Sequence, residues 1–431
     1  MSIESELTRL QNAKSSLKSS IEAKGVTVAS DATLDAYPAL VDSIPSGGGS
    51  STGAVRFIDY DGTILHTYTP EQFAALESMP ANPVHSDLTS QGWNWSLAAA
   101  KTYVAANGAL DIGQMYAANN PDGKTRLYIT IDDISRPTMS LYFGASVDGG
   151  VTIDWGDDSP TEQSSGTSDN GYYHDYSSVG DFIITLTVTS GVLTLTGSSS
   201  VNIVCPSSTY RYNRARLKKV ILGSGITSIG TSAFQTCSSL TTITLPSSLT
   251  SIGKSAFQNC YSLTSITLPS SLTSIGTSAF NSCSSLTSIT LPSSLTSIDA
   301  SAFRCCYSLT PITLPSSLTS IGANTFDSCY SLTSINLPSS LTSIGASAFN
   351  YCYSLTSITL PSSLTSIGKS AFQNCYGIKY YYVNSTNPPT LGSSALQMQS
   401  DSIIYVPAAS VDEYKGATDW FAYSSYIQAM P

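Results

Sequence analysis

Charge is scarce in this chain. Lys, Arg, Asp and Glu make up 11% of its 431 residues, against about 25% in ordinary soluble proteins. The 29 acidic residues outnumber the 19 basic ones, for a net charge of −10, which argues against nucleic acid as the main partner. Histidine is rarer still, with only His66, His85 and His174, and no C-x-x-C pair occurs. No run approaches the ~20 apolar residues of a membrane helix, so no membrane insertion is expected. The opening MSIESELTRL carries Glu4 and Glu6 and no apolar stretch, so the sequence predicts no secretory signal. Yet 41% of the residues are hydrophobic. That is enough for a core, so the low charge does not mean disorder. Ser and Thr must keep the surface wet instead. The length argues for several domains.

Periodicity dominates the second half. Phe234, Phe257, Phe280, Phe303, Phe326, Phe349 and Phe372 are spaced by 23 residues each time, and Cys237, Cys260, Cys283, Cys306, Cys329, Cys352 and Cys375 keep the same step. One unit reads LTSITLPSSLTSIGTSAFNSCSS, from Leu263. Such a unit cannot bury its own apolar side and must stack on its neighbours. Leu263, Ile266 and Leu268 read as a first short strand. Pro269 turns the chain. Leu272 and Ile275 read as a second extended run, ended by Gly276, and Ser278–Phe280 as a brief helical or irregular return. Seven coils at ~4.8 Å make a rod of roughly 35 Å.

Three readings compete for the cysteines: disulfides, metal or buried thiols. Nine cysteines, counting Cys205 and Cys305, make an odd total, which speaks against a disulfide framework. All three histidines lie outside the array, so no metal or cofactor is expected. A Cys recurring at a core position reads as a small buried hydrophobe, a free thiol. After the Cys come Ser238, Tyr261, Ser284, Tyr307, Tyr330, Tyr353 and Tyr376, which stacking would set in one surface column. Tyr gives large contact area at small entropy cost, so Tyr261, Tyr307, Tyr330, Tyr353 and Tyr376 are the candidate ligand-binding residues. The competing reading is that Tyr only shields the Cys column. Rows of Thr such as Thr264, Thr267, Thr287 and Thr290 suggest an ice-binding face, but Thr also simply favours strands.

The "LTSIxxxAFxxCxSLTSIxLPxS" signature resembles the BspA-like leucine-rich repeats over roughly residues 217 to 431. The resemblance implies a right-handed solenoid used in adhesion and recognition. Leu217–Gly230 reads as a worn first copy, with Arg214, Arg216, Lys218 and Lys219 as a polar cap. The "PPTLGSSAL…IIYVPAASVDEYK…W" run after Ile378 is similar to the end of such arrays and implies a terminal strand and helix. The repeat domain is thus placed at 199–378, with an N-terminal cap, and a C-terminal cap at 379–431.

The first half divides further. Ile3, Leu7, Leu10, Lys14, Leu17, Ile21 and Lys24 alternate four and three apart, a heptad seam. Ile3, Leu7, Leu10, Leu17 and Ile21 would mediate oligomerisation; the competing reading is one amphipathic helix packed on something else. Residues 47–53 form a Gly/Ser linker, which makes 1–46 a separate helical, coiled-coil segment. Its "LQNAKSSLKSSIEAKGVTVASDATLDAYPALVDSI" resembles the N-terminal segment of phage virion fibre proteins, implying attachment to virion capsid or tail proteins, commonly as a homotrimer. In 54–125, a small α+β module, Val55–Leu65 matches the hhhDxDGT motif of haloacid dehalogenase-type phosphatases. That resemblance implies Asp59 as nucleophile and Asp61 as acid/base beside Mg²⁺. Too few residues remain for the doubly wound sheet the chemistry needs, and an Asp61-Gly62 hairpin explains the pattern. The stretch also resembles a module recurring in phage appendage proteins.

Residues 126–198 read as strands. Val151–Ser159 with Tyr173–Val188 is similar to the "WxFGDGS" and "HxYxxxGxYxVTLTV" motifs of PKD-type sandwiches, implying a β-sandwich of about seven strands. Asp158 stands where that family has Gly. Asp154, Asp157 and Asp158 read as a solvated Asx-turn before a Ca²⁺ site, and His174 as structural. Together these readings predict a multidomain, mainly β, non-enzymatic protein: a phage virion fibre or appendage whose repeats bind a host-surface glycan or protein, located on the virion. The alternatives are a bacterial cell-surface adhesin of BspA-like type and, last, a Mg²⁺-dependent phosphatase.

Overall fold

A computed structural model describes residues 54–58, 64–83, 88–93, 97–118, 120, 122–167, 169–195, 203–204, 212–310 and 312–431. The heptad residues Ile3 to Ile21, the linker, Asp59, Asp61 and Cys205 lie outside the described residues.

The first module has strands β1 (Val55–Ile58), β2 (Ile64–Tyr68), β3 (Leu88–Trp93) and β4 (Leu110–Ala118), with helices α1 (Pro70–Ala74) and α2 (Leu97–Asn107). The sheet order is β2-β1-β4-β3. Only β1 and β4 run parallel. Phe57 faces His66 and Ile58 faces Ile64 in an antiparallel pair, so the strands flanking Asp59 and Asp61 form the hairpin arms the Asp-Gly pattern predicts. Thr69 caps α1 in a reciprocal box with Gln72, satisfying two otherwise orphaned amides. Phe57, Phe73, Trp93 and Tyr103 fill a core of its own.

Seven strands then build a sandwich: β5 (Thr125–Ile131), β6 (Thr138–Ala145), β7 (Val151–Asp154), β8 (Glu162–Gln163), β9 (Asn170–Asp175), β10 (Gly180–Val188) and β11 (Leu193–Thr194). One layer is β5-β10-β7-β8 and the other β11-β6-β9. Strand β5 alternates buried and half-buried along its length, as a strand with one core face should. Tyr176 donates its hydroxyl to the Trp155 carbonyl at 2.8 Å, both side chains buried.

The sheet of the sandwich continues into the repeats. Strand β12 (Leu217–Ile221) pairs antiparallel with β5 and parallel with the first repeat strand, Thr242–Thr244. One eight-stranded sheet therefore runs from the sandwich into the repeats, over one continuous core. This corrects the expected polar cap. The worn first coil is covered by a neighbouring sheet, which satisfies its edge amides. Arg216 is buried at 3% exposure. It donates to the Arg136 carbonyl at 2.6 Å and the Asn213 side chain at 3.2 Å, and sits 4.7 Å over the Tyr212 ring.

Each coil has two short strands and a return arc. Ser265↔Ser288, Ile266↔Ile289 and Thr267↔Thr290 pair in register in the first ladder, and Ser274↔Ser297 in the second. The seven Phe rings stack with centroids 5.1 to 5.6 Å apart. In the return arc, Phe257 donates its amide to the Ala279 carbonyl of the next coil. Residues before Ala-Phe and before Cys, such as Ser278 (φ 57°) and Ser282 (φ 62°), are left-handed in coil after coil. The return is thus a repeated pair of tight turns rather than a helix.

Hydroxyls and thiols also staple the stack. The Oγ of Ser294 donates to the Leu272 carbonyl at 2.6 Å, that of Thr296 to Thr273 at 3.2 Å, and Cys306 Sγ to Phe280 at 3.2 Å. Each bond joins one coil to the coil before and recurs along the array. The solenoid also does not end at Ile378. Tyr380–Val383, Ile403–Val406 and Ile427–Ala429 extend the first ladder, and Thr390–Leu391 extends the second. Helix α3 (Val411–Gly416) lies between Ile403–Val406 and Ile427–Ala429. These coils lack the 23-residue letters but keep the pairing geometry.

Among the described residues the second ladder is interrupted between Ser297–Ile298 and Ser320–Ile321. One letter departs from the period beside it: Asp299 stands in a column otherwise made of Gly. A Cβ on Gly276 would lie 2.9 Å from the Gly253 carbonyl carbon, so the Asp299 Cβ crowds the preceding coil, where Ser274↔Ser297 and Ile275↔Ile298 nonetheless pair. The Phe rings on either side of Phe303 are the widest spaced, at 5.5 and 5.6 Å.

Candidate functional site

The stacking brings four of the five expected tyrosines together. Tyr307 and Tyr330 stack at 4.8 Å with planes 9° apart, Tyr330 and Tyr353 at 5.1 Å, and Tyr353 and Tyr376 at 6.2 Å. All four are exposed. Their position is set from below: the Cys just before each ring is buried in the core, and the tight turn before it holds the arc in register. Tyr261 is in the same column but not in the ladder, because Ser284 occupies the coil between it and Tyr307. Ser284 lies directly over Tyr261, its Oγ 3.4 Å from the Tyr261 carbonyl.

Shielding of the cysteines does not explain these rings. Cys237 and Cys283 are followed by Ser, the other repeat cysteines by Tyr or, at Cys260, by Tyr261. All seven are at 0% exposure. A serine covers the thiol as completely as a tyrosine, so the exposed ring area is not needed for the core.

Within the ladder the ring faces are turned to each other, and edges and hydroxyls meet the water. The Tyr307 hydroxyl is raised above the ordinary tyrosine range, first by its hydrogen bond with Cys305. That of Tyr353 is raised by desolvation and by the neighbouring rings. Both hydroxyls therefore stay protonated at neutral pH, as hydrogen-bond donors and acceptors. Tyr351 adds an edge-on ring 5.8 Å from Tyr353.

Beside this column runs a polar one. Gln235 donates to Gln258 at 2.7 Å. Arg304 Nε donates to the buried Asp327 carboxylate at 2.8 Å, and Asn350 Nδ2 to the same carboxylate at 3.1 Å. From Ile226 to Ile378 the charges are Lys254, Asp299, Arg304, Asp327 and Lys369 only. With Arg304 tied to Asp327, the Tyr face is close to neutral.

A second aromatic group was not singled out in the sequence. Tyr382 and Tyr405 stack at 5.2 Å, and Tyr380 lies 6.2 Å from Tyr405, where the first ladder passes the last repeat. The period-two spacing in KYYYV and IIYV is the signal that marks them. The Thr rows hold a structural role: Thr287 Oγ1 donates to the Thr264 carbonyl at 3.2 Å.

In the sandwich, Asp154 accepts from the Gly156 amide at 2.9 Å, an Asx-turn. Partial burial would raise the Asp157 carboxyl, but hydrogen bonds from Ser159 and His174 outweigh it and hold the group below the usual range. His174 Nε2 lies 2.7 Å from Asp157 Oδ2 and its ring stacks on Trp155 at 5.1 Å. Asp158 takes the left-handed conformation, φ 63°, that a Gly would adopt freely. Among the described residues no group of three or more metal-ligating side chains converges.

Residues 206–332 and 297–415 match the BspA type leucine rich repeat region, in six copies. The chain is similar to a solved leucine-rich repeat protein from Bacteroides ovatus ATCC 8483, with 31% identity, TM-score 0.39, and 44% of this chain and 56% of that one covered. It is similar to a leucine rich cell surface protein from Faecalibacterium prausnitzii A2-165, with 26% identity, TM-score 0.36, and 45% and 66% covered. The leucine rich repeat protein of T. pallidum matches with 29% identity, TM-score 0.29, and 43% and 73% covered. The chain thus spans 56% and 66% of the first two of these structures. No curated protein matches it.

Proposed function

We propose that this chain, whose second half is an array of BspA-type leucine-rich repeats, is a non-enzymatic adhesion protein. The repeat face binds a glycan or protein on a host surface. The observation that carries this reading is the exposed Tyr307–Tyr330–Tyr353–Tyr376 ladder, which the burial of the thiols beneath it does not require. Exposed aromatic rows with adaptable hydroxyls are what contact surfaces use. The near-neutral face has no long-range electrostatic steering, so attachment is expected to vary little with salt.

The finer reading is a phage virion fibre or appendage, anchored through residues 1–46 to capsid or tail proteins as a homotrimer. It is supported by the resemblance of that segment to virion fibre proteins. The second reading, a bacterial cell-surface adhesin, is supported by the BspA-type repeats themselves. Electron microscopy with an antibody against residues 217–378 separates the two. Label on purified particles supports the first, and label on bacterial cells alone supports the second. Changing Tyr307, Tyr330 and Tyr353 together to Ser is expected to weaken attachment several-fold with the fold intact. Unchanged attachment would sink the adhesive face.

A further inference from the structure

The Tyr column contains a gap of one ring. Tyr261 and Tyr307 occupy the same position two coils apart, with Ser284 between them, and are 46% and 41% exposed. Two coil steps of ~4.8 Å separate them by about 10 Å. A ring seated midway would lie about 5 Å from each wall, the spacing that the protein's own rings adopt at Tyr307–Tyr330 and Tyr330–Tyr353.

We infer that this gap is a binding slot for one uncharged pyranose ring of a glycan, held between Tyr261 and Tyr307 over the Ser284 hydroxyl. The inference rests on the adhesive reading above and narrows it to a ligand class. The rim is polar. At the position two before the Tyr, Asn374 accepts from the Tyr376 hydroxyl at 2.9 Å, while Ser328, two before Tyr330, bonds Asp327 instead. The same position in the slot is held by Asn259 and Ser282, both half-buried. Ser282 donates to Asn281 at 2.8 Å, which leaves its oxygen lone pairs as acceptors.

A pyranose matches both parts of this slot. Its C–H faces meet the two aromatic walls, and its equatorial hydroxyls meet the amide and hydroxyl rim. A phenyl ring would fill the same thickness but leave those rim groups without partners, which costs free energy. The charge at the next coil, Arg304, is already tied to Asp327, so the slot has no counter-charge for an acidic sugar.

The test is saturation-transfer NMR on the full chain, with the methyl pyranosides of glucose, galactose, mannose and N-acetylglucosamine as probes at millimolar concentration. Transfer to the ring protons of at least one is expected. It should fall by about tenfold or more, roughly 1.4 kcal/mol, in Ser284→Tyr and in Tyr261→Ser, and persist in Tyr353→Ser. Ser284→Tyr places a ring that five other coils already carry, so it is expected to fold, and a thermal melt checks this. Should it unfold, Tyr261→Ser decides alone. No transfer to any of the four in the native chain would overturn the slot, as would equal transfer in Ser284→Tyr. Binding of N-acetyltyrosinamide in place of all four would also overturn it. Attachment that depends on Tyr307, Tyr330 and Tyr353 while no pyranoside binds would remove the slot and leave the adhesive face standing. Pyranoside binding with attachment unaffected would do the reverse.

Discussion

Raising the pH should unfold the solenoid through its thiols. Cys260, Cys283, Cys306, Cys329 and Cys352 are buried without exposure, and desolvation pushes each thiol up from its ordinary value. Below about pH 8.5 folded and unfolded chains both keep these protons, so the thiols cost nothing there. Above it the unfolded chain releases protons that the folded chain retains, and stability falls as pH rises. Each thiol contributes about 1.4 kcal/mol per pH unit once past its unfolded value. Five together remove roughly 5–7 kcal/mol by about pH 9.5, comparable with the ~5–15 kcal/mol that holds a domain together. Urea melts followed by circular dichroism under reducing conditions, from pH 7 to 9.5, should show a midpoint flat to about pH 8 and dropping steeply beyond. Stopping at 9.5 keeps exposed tyrosines, ordinarily near 10, mostly un-ionised. Replacing Cys283 and Cys306 with Ala should lower stability at pH 7 through lost volume, yet flatten the alkaline slope by about two fifths. A midpoint that stays level to pH 9.5, or a slope indifferent to the two replacements, would refute the reasoning.

Two further changes probe the stack near Asp299. Asp299→Gly removes the Cβ that meets the preceding coil, and should stabilise by about 1 kcal/mol and slow exchange of the residue 299 amide, which bonds the Ile275 carbonyl; unchanged stability and exchange would contradict the crowding. Arg304→Ala leaves the buried Asp327 carboxylate with Asn350 and Ser328 only and should cost about 2–3 kcal/mol, whereas Asp327→Ala leaves an arginine that reaches water and should cost less. A double-mutant cycle by chemical denaturation measures the difference, and equal costs would contradict the stated asymmetry.

The repeat was legible because it is local and copied. A 23-residue step puts like letters over like, so the Phe stack, the buried Cys column and the Tyr column follow from the step alone. The sandwich was legible through period-two runs such as Gly180–Val188, buried on alternate sides where it faces the core. Where the letters change but the geometry persists, the sequence was silent: Tyr380–Val383 and Ile403–Val406 look unlike the earlier strands, yet pair in the same ladder. Arg216 misled for a related reason. A charged letter beside the array reads as surface, and only the return of Arg136 and Thr138 beside it supplies the carbonyls that satisfy a buried guanidinium.

Low charge shows most clearly where the two sources of information divide. Composition by itself determined that hydroxyls must replace charge on this surface, and periodicity determined which columns are core. Only the tertiary structure decided what the hydroxyls do. Ser294 and Thr296 are as polar in the sequence as any surface residue, but their oxygens bond carbonyls one coil back. The stack brings together residues 22 and 23 apart, a pairing that no local pattern contains. The same contact decides which tyrosines touch, since Ser284 interrupts the column only once coils are placed over one another.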